Sequence, residues 1–188
     1  HALREAVVEA KADLGIATDG DADRLGIIDD EGGFLSANQI LVLLYRYLLT
    51  GKGWTGPAVR NLATTHLLDR VAAAHGQVCY EVPVGFKHIS AKMEATDAVI
   101  GGESSGGLTV RGHIPGKDGV YAGSLLVEML AASGRKLSEL WADVVAEYGN
   151  LEMVETAHSF IPSRKGELIH LLFEDKALPE FSYAVERV

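Results

Sequence analysis

Two hydrophobic periods alternate along the chain. Leu3, Val7 and Ala10 recur at helical spacing and predict a helix over 2–11, and the apolar run after it predicts a buried strand over 13–18. The short apolar stretches 25–30 and 33–35 flank Asp30-Glu31-Gly32 and predict a hairpin. Helical spacing returns over 38–50, with Ser36 placed to cap it. Strand and helix then take turns: strand 58–62, helix 65–75, strand 78–82, helix 87–95 and strand 98–102. Past a glycine-rich stretch come helices over 119–132 and 137–148. This alternation predicts an α/β layer fold with a mainly parallel sheet, whose ligands sit beyond the carboxyl ends of the strands.

The polar residues of most interest fall at those ends. Residues 19–24 read Asp-Gly-Asp-Ala-Asp-Arg, three carboxylates at alternate positions followed by a guanidinium. Like charges this close repel, so an empty loop is destabilised unless a cation is bound or the side chains splay into water. Hard oxygen ligands suit Mg²⁺ or Ca²⁺, and Mg²⁺ characteristically shares a few carboxylates with a substrate phosphate. With Mg²⁺ on Asp19, Asp21 and Asp23, Arg24 neutralises the remaining negative charge and a phosphate oxygen can complete the shell. An EF-hand calcium loop does not fit: its sixth position needs Gly and holds Arg24, and its twelfth needs Glu and holds Asp30. A solvated acidic turn needs neither Arg24 nor the strict alternation.

Three further loops carry chemistry. Lys87, beside His88, stands near a predicted helix start, where an ammonium can meet a phosphate or move a proton, although a solvated surface lysine looks the same in sequence. Glu103 and Ser105, at alternate positions among glycines, would face one way if extended, and a carboxylate beside a hydroxyl can hold vicinal sugar hydroxyls. Arg111, His113 and Lys117 precede the helix over 119–132 and can hold an anion, with Asp118 as its cap. His66, His75, His158 and His170 show no metal-ligand spacing.

Composition narrows the partners. Seventeen basic against 26 acidic residues give a net charge of −9, which argues against nucleic acid and anionic membranes. The most apolar run, 40–49, is too short for a bilayer and contains Arg46. Cys79 is alone and forms no intrachain disulfide, in accord with a reducing compartment, and a cytoplasmic location is expected. No signal-peptide pattern opens the sequence, and His1 in place of Met marks an excised piece, a processed chain or a tag remnant.

In this order, Asp-Gly-Asp-Ala-Asp-Arg, Val-Gly-Phe-Lys-His-Ile, Gly-Glu-Ser-Ser-Gly-Gly and Lys-Asp-Gly-Val resemble the α-D-phosphohexomutase superfamily, in its phosphoglucomutase/phosphomannomutase branch. The resemblance implies a three-layer α/β/α fold with a mixed, mainly parallel sheet. It divides the chain into 1–36, the end of the family's second domain with the metal loop; 37–150, its third domain; and 151–188, where residues 151–155 and a helix over 163–173 are the linker and the start of the fourth. It implies Asp19, Asp21 and Asp23 as Mg²⁺ ligands, Arg24 assisting the phosphoryl group, and Lys87 as general acid or base. His88, Glu103, Ser105 and Lys117 follow as substrate-binding residues, Glu103 and Ser105 on ring hydroxyls. The implied activity interconverts hexose 1-phosphate and hexose 6-phosphate through a phosphoserine and a hexose 1,6-bisphosphate.

Two family features are missing from the sequence: a Thr-Ala-Ser-His-Asn-Pro-like serine segment and the Arg-x-Ser-Gly-Thr phosphate loop of the fourth domain. A fragment inactive by itself is therefore expected, with dimerisation through exposed Leu171, Leu172 and Phe173. Rival readings are a Mg²⁺-dependent phosphatase, which has no need of the Glu103 loop, and a non-catalytic sugar-phosphate or metal-binding module. Gluco- and manno-configured sugars are expected ahead of amino sugars.

Overall fold

The structure, a computed structural model, describes residues 2–151 and 159–177. The chain divides into two compact units, His1–Glu152 and Met153–Val188, each taken by itself.

In the first unit, helix α1 (Ala2–Ala10) leads into an antiparallel three-stranded sheet in the order β1 (Leu14–Thr18), β2 (Leu25–Asp29), β3 (Phe34–Leu35). The last register pair of β1 and β2 is Thr18 with Leu25, so residues 19–24 form the whole connection between them. At the other end of β2, Asp29 accepts from the backbone N–H of Glu31 and Gly33, and Gly32 takes φ +82°, a conformation that favours glycine. That turn is the hairpin expected around residues 30–32.

Helix α2 (Ala37–Thr50) starts with a capping box: Ser36 accepts from Gln39 N–H, and the Gln39 side chain accepts from Ser36 N–H. Its Ile40 to Tyr45 are all buried, which accounts for the apolar run 40–49 without a membrane. The second sheet has the order β5-β4-β6-β7, with β4 (Ala58–Asn61), β5 (Cys79–Val82) and β6 (Ile100–Gly102) parallel and β7 (Leu108–Val110) antiparallel to β6. Helix α4 (Phe86–Thr96) closes one face through Ile89 and Met93 against Val59 and Ala98. Helices α2, α3 (Leu67–Ala74), α5 (Gly119–Ser133) and α6 (Leu137–Tyr148) share the larger core on the other face with Ala58, Ile100, Leu108 and Val110. Burying each such Leu or Ile contributes about 1.5–3 kcal/mol, and this face holds most of them. A mixed sheet between two helical layers is the expected α/β/α architecture.

Helix α5 packs against β1, β2 and β7, and so joins the two sheets. A second tie comes from Asp30 at the hairpin tip. Its carboxylate accepts from Ser138 N–H in the first turn of α6 (3.1 Å) and lies 3.4 Å from Lys136 Nζ. That carboxyl is partly buried, yet the Ser138 N–H and Lys136 hold it below the usual carboxylate range.

Three expectations need correcting. Strand β1 is not buried: it is an edge strand, and Ile16, Ala17 and Thr18 are exposed. Strand β7 was missed inside the glycine-rich stretch, because three residues carry too short a period to read. The expected helix over 163–173 is a 3₁₀ turn (Pro162–Arg164), a short α7 (Lys165–Ile169) and a π turn (His170–Glu174). In that second unit Ile169, Leu171 and Phe173 are exposed, while Leu172 is half-buried. His158 and most of the expected linker over 151–155 lie outside the described residues. Among the described residues, no helix is long and apolar enough to cross a membrane.

Candidate functional site

The strand order places the carboxyl ends of β4, β5 and β6 along one edge, which presents Asn61, the loop ahead of α4 and Glu103 on the same side. Beyond β6 the chain turns back: Glu103 N–H donates to Gly107 O (3.0 Å) and Gly106 N–H to Glu103 O (3.1 Å). Gly106 takes φ +104° there, and a Cβ on it would stand 3.2 Å from Leu25 O. This is a tight turn rather than an extended segment, and it still brings the two side chains together. Ser105 Oγ donates to Glu103 Oε1 at 2.9 Å.

Two buried residues fix that turn. Asn61 donates through Nδ2 to Glu103 Oε2 (3.2 Å), while its Oδ1 accepts from Thr64 Oγ1 (2.8 Å). Thr64 Oγ1 in turn accepts from Ser104 N–H (3.1 Å). Asn61 and Thr64 are each 2% exposed, so this network sits in low dielectric where each bond counts for more. Sequence reading missed both residues. The one signal available was an Asn ending a buried strand, with a Thr in the turn just beyond it.

The acidic loop lies beside the turn. Arg24 pairs with Gly107 in an antiparallel β-bridge, and Gly119 N–H at the start of α5 donates to Ala22 O (2.9 Å). Within the loop, carboxylate oxygens of Asp19, Asp21 and Asp23 come within 4.8 Å of one another. Arg24 Nε donates to Asp19 Oδ2 (2.6 Å), Arg24 N–H meets Asp19 Oδ1 (3.2 Å), and Asp23 Oδ1 stands 3.4 Å from Arg24 Nε. Burial works against ionisation of Asp19, but the Arg24 N–H and guanidinium outweigh it and hold the carboxyl below its usual range. Asp23 Oδ1 is buried without a hydrogen-bond partner. Three converging carboxylates with one orphaned oxygen fit a hard divalent cation.

Lys117 spans the two loops. Its Nζ lies 2.6 Å from Asp23 Oδ2 and 3.9 Å from Glu103 Oε1. Next to it, Asp118 caps α5 by accepting from Tyr121 N–H (2.8 Å), as expected, and His113 Nε2 lies 2.8 Å from Asp118 Oδ2. His113 also stacks on Tyr121, so it serves the cap. An open depression of about 410 Å³ is lined by Thr18, Asp19, Arg24 and Ser105, among others. Asp19, Asp21, Asp23, Arg24, Glu103, Ser105 and Lys117 therefore form one cluster. Lys87 is exposed and His88 half-buried at the start of α4, on the same sheet edge but outside this contact network. Arg111 stands apart, paired with Asp97 at 3.0 Å.

Comparison with known proteins agrees with this fold. The family "Phosphoglucomutase/phosphomannomutase, alpha/beta/alpha domain III" matches residues 36–148. A phosphoglucosamine mutase of Carboxydothermus hydrogenoformans is 36% identical over 74% of the chain and 32% of its own length. A phosphoglucomutase/phosphomannomutase of Thermococcus kodakarensis is 35% identical over 72% of the chain and 30% of its own length. Among solved structures, a Thermus thermophilus protein provisionally assigned as a phosphomannomutase superposes with a TM-score of 0.69 at 42% identity, covering 72% of this chain and 31% of that one. The chain thus spans about a third of the length of these relatives. The match over 36–148, on a sheet whose carboxyl edge carries the Glu103 turn, makes the chain a member of the phosphoglucomutase/phosphomannomutase family.

Proposed function

We propose that the chain supplies the metal loop and the sugar loop of a hexose phosphate mutase, which interconverts hexose 1-phosphate and hexose 6-phosphate through a bisphosphate. In this reading residues 1–36 belong to one domain, 37–150 to the next, and 151–188 to a linker and the start of a third. The observation that carries it is the junction of the Asp19/Asp21/Asp23 cluster with the Glu103 turn through Lys117.

Asp19, Asp21 and Asp23 would hold Mg²⁺, which when bound supplies positive charge to phosphoryl oxygens. Arg24 adds a guanidinium beside the same loop and Lys117 an ammonium, both suited to phosphate. Glu103 accepts sugar hydroxyls and Ser105 donates or accepts, each in the position that Asn61 and Thr64 define. Lys87 and His88, on the same strand edge, would meet the sugar phosphate from the side of α4, Lys87 with a proton to exchange. Glucose and mannose phosphates are the first substrates to test. Phosphoglucosamine mutases among the relatives favour glucosamine phosphate as a second.

Calorimetric titration of the 188-residue chain in Mg²⁺ with the three hexose 1-phosphates tests the reading. At least one should bind, and Glu103→Gln should weaken it roughly tenfold, the order expected from a charged hydrogen bond to a hydroxyl. No binding of any of the three refutes it. The chain alone should show no mutase turnover in a coupled assay, and turnover would overturn the inactivity of the isolated piece.

A further inference from the structure

We propose that Lys117 is a built-in counter-cation of the metal loop, and that a divalent cation entering the Asp19/Asp21/Asp23 cluster hands its ammonium over to Glu103. Metal occupancy and the sugar-binding carboxylate are then energetically coupled. This rests on the metal reading given above.

The pairing at Asp23 is the first observation. Lys117 Nζ sits 2.6 Å from Asp23 Oδ2, with about a quarter of each side chain exposed. A cation shared by the three aspartates needs Asp23, whose other oxygen is buried without a hydrogen bond, 3.4 Å from Arg24 Nε. An ammonium and a divalent ion cannot both crowd one carboxylate without strong repulsion, so the two compete.

The second observation is a ready acceptor for the displaced ammonium. Glu103 Oε1 lies 3.9 Å from the same Nζ, so a shift of about 1 Å brings it to hydrogen-bond distance. Glu103 is held by Asn61 and by Ser105, so the ammonium is the group that moves.

The lysine stem is placed for such a pivot. A Cβ on Gly107 would stand 2.7 Å from Lys117 Cγ and would also overlap Cδ, so the stem runs flat across a position that only glycine leaves open. Gly107 itself is pinned by Glu103 N–H and by the bridge to Arg24. The stem is therefore anchored over the turn while the terminal torsions choose between the two carboxylates. Arg24 does not make the same handover, because its Nε is hydrogen-bonded to Asp19 and meets Asp23 only at Oδ1, 3.4 Å away, not at the oxygen that Lys117 holds.

Mn²⁺ titration of the 188-residue chain, read by loss of the free-ion electron paramagnetic resonance signal, tests the coupling. Lys117→Met should bind Mn²⁺ roughly three- to tenfold more tightly than wild type, the scale of releasing one partly buried ion pair. Glu103→Gln should weaken binding where Lys117 is present and change nothing in the Lys117→Met background. Lys117→Gln should repeat the Lys117→Met result with a polar tip, and thermal melting of every variant confirms the fold. As a second readout, Mg²⁺ should shift the Ser105 and Gly107 amide resonances in wild type far more than in Lys117→Met.

Unchanged or weaker binding by both Lys117 variants overturns the proposal. Equal weakening by Glu103→Gln in both backgrounds also overturns it, since that is the mark of a general field rather than a handover. Binding by none of the proteins removes the metal reading together with the coupling, whereas binding indifferent to Lys117 removes the coupling alone.

Discussion

Replacing Gly119 with alanine sets two effects of opposite sign against each other. In an exposed helix the exchange would gain up to ~1 kcal/mol from backbone entropy. Gly119 instead heads α5 directly over the metal loop, where an added methyl carbon would stand 2.7 Å from Arg24 O, 2.9 Å from Arg24 C and 3.0 Å from Ala22 O. Carbon contacts settle near 3.5 Å, so helix and loop must separate by about 0.7 Å, and both are backbone.

The Gly119 N–H bond to Ala22 O, now 2.9 Å, would then stretch beyond useful length and leave a buried donor unmet. Overpacking costs roughly 1–3 kcal/mol and an unmet buried donor about 1–3 kcal/mol. Less the helical gain, the net is about 1–5 kcal/mol of destabilisation, and its centre near ~3 kcal/mol corresponds to ~6–12 °C of melting temperature for a unit of this size. Thermal unfolding by circular dichroism reads the first effect, and Mn²⁺ titration should show weaker binding as the loop moves. Gly116→Ala is the control, because its Cβ would meet nothing nearer than Ile114 at 4.0 Å. Gly119→Ala melting at or above wild type, with metal affinity intact, would refute the close approach.

Three more outcomes follow from the described contacts. Asp118→Ala removes the cap of α5 and should cost about 1–2 kcal/mol in urea unfolding at neutral pH. The Tyr121 N–H, followed by His113, holds the Asp118 carboxyl below its usual 3.8; the contribution is thus complete above that pH and is lost as pH falls through the depressed folded value. A difference between wild type and variant that stays constant down to strongly acid pH would contradict this. Arg60→Met takes the guanidinium, 2% exposed, away from Asp69 and Glu81, and should lower stability by about 2–3 kcal/mol, less than a fully buried pair because both carboxylates reach water; a change below ~0.5 kcal/mol counts against it. Burial, with Asp69 nearby, pushes the Cys79 thiol up to about 12, so iodoacetamide at pH 8 should label it only after unfolding, and equal native and unfolded rates would refute the assignment.

Local signals were legible in the sequence where one element decides its own fate. Ser36 with Gln39 and Asp118 with Tyr121 are caps written within four residues, and both formed. The apolar run of α2 gave a helix because its burial on nearly every side needs no alternation. Strand β7 was hidden because Leu108–Val110 becomes a strand only by pairing with β6, a tertiary event with no period of its own. Exposure of β1 was illegible for the same reason, since an apolar pentapeptide reads alike in the middle or at the edge of a sheet. At the candidate site the motif residues stood out by type, but Asn61 and Thr64 did not. Their role arises when β4 and β6 become neighbours and the Glu103 turn is laid over their ends.

The hairpin tip that caps α6 also orders events in time. Asp30 leaves the ribosome long before Ser138, its partner 108 positions later, and the acidic loop likewise waits for Lys117 and Gly119. Strands β1 to β3 can zip locally within microseconds with α1 and α2 beside them, yet their contacts with α5 and α6 wait until the C-terminal helices of the unit are made. Such distant closures slow folding and prolong exposure of the face of β1 and β2 that α5 covers, so a nascent chain stalled before residue 117 should present that face to chaperones.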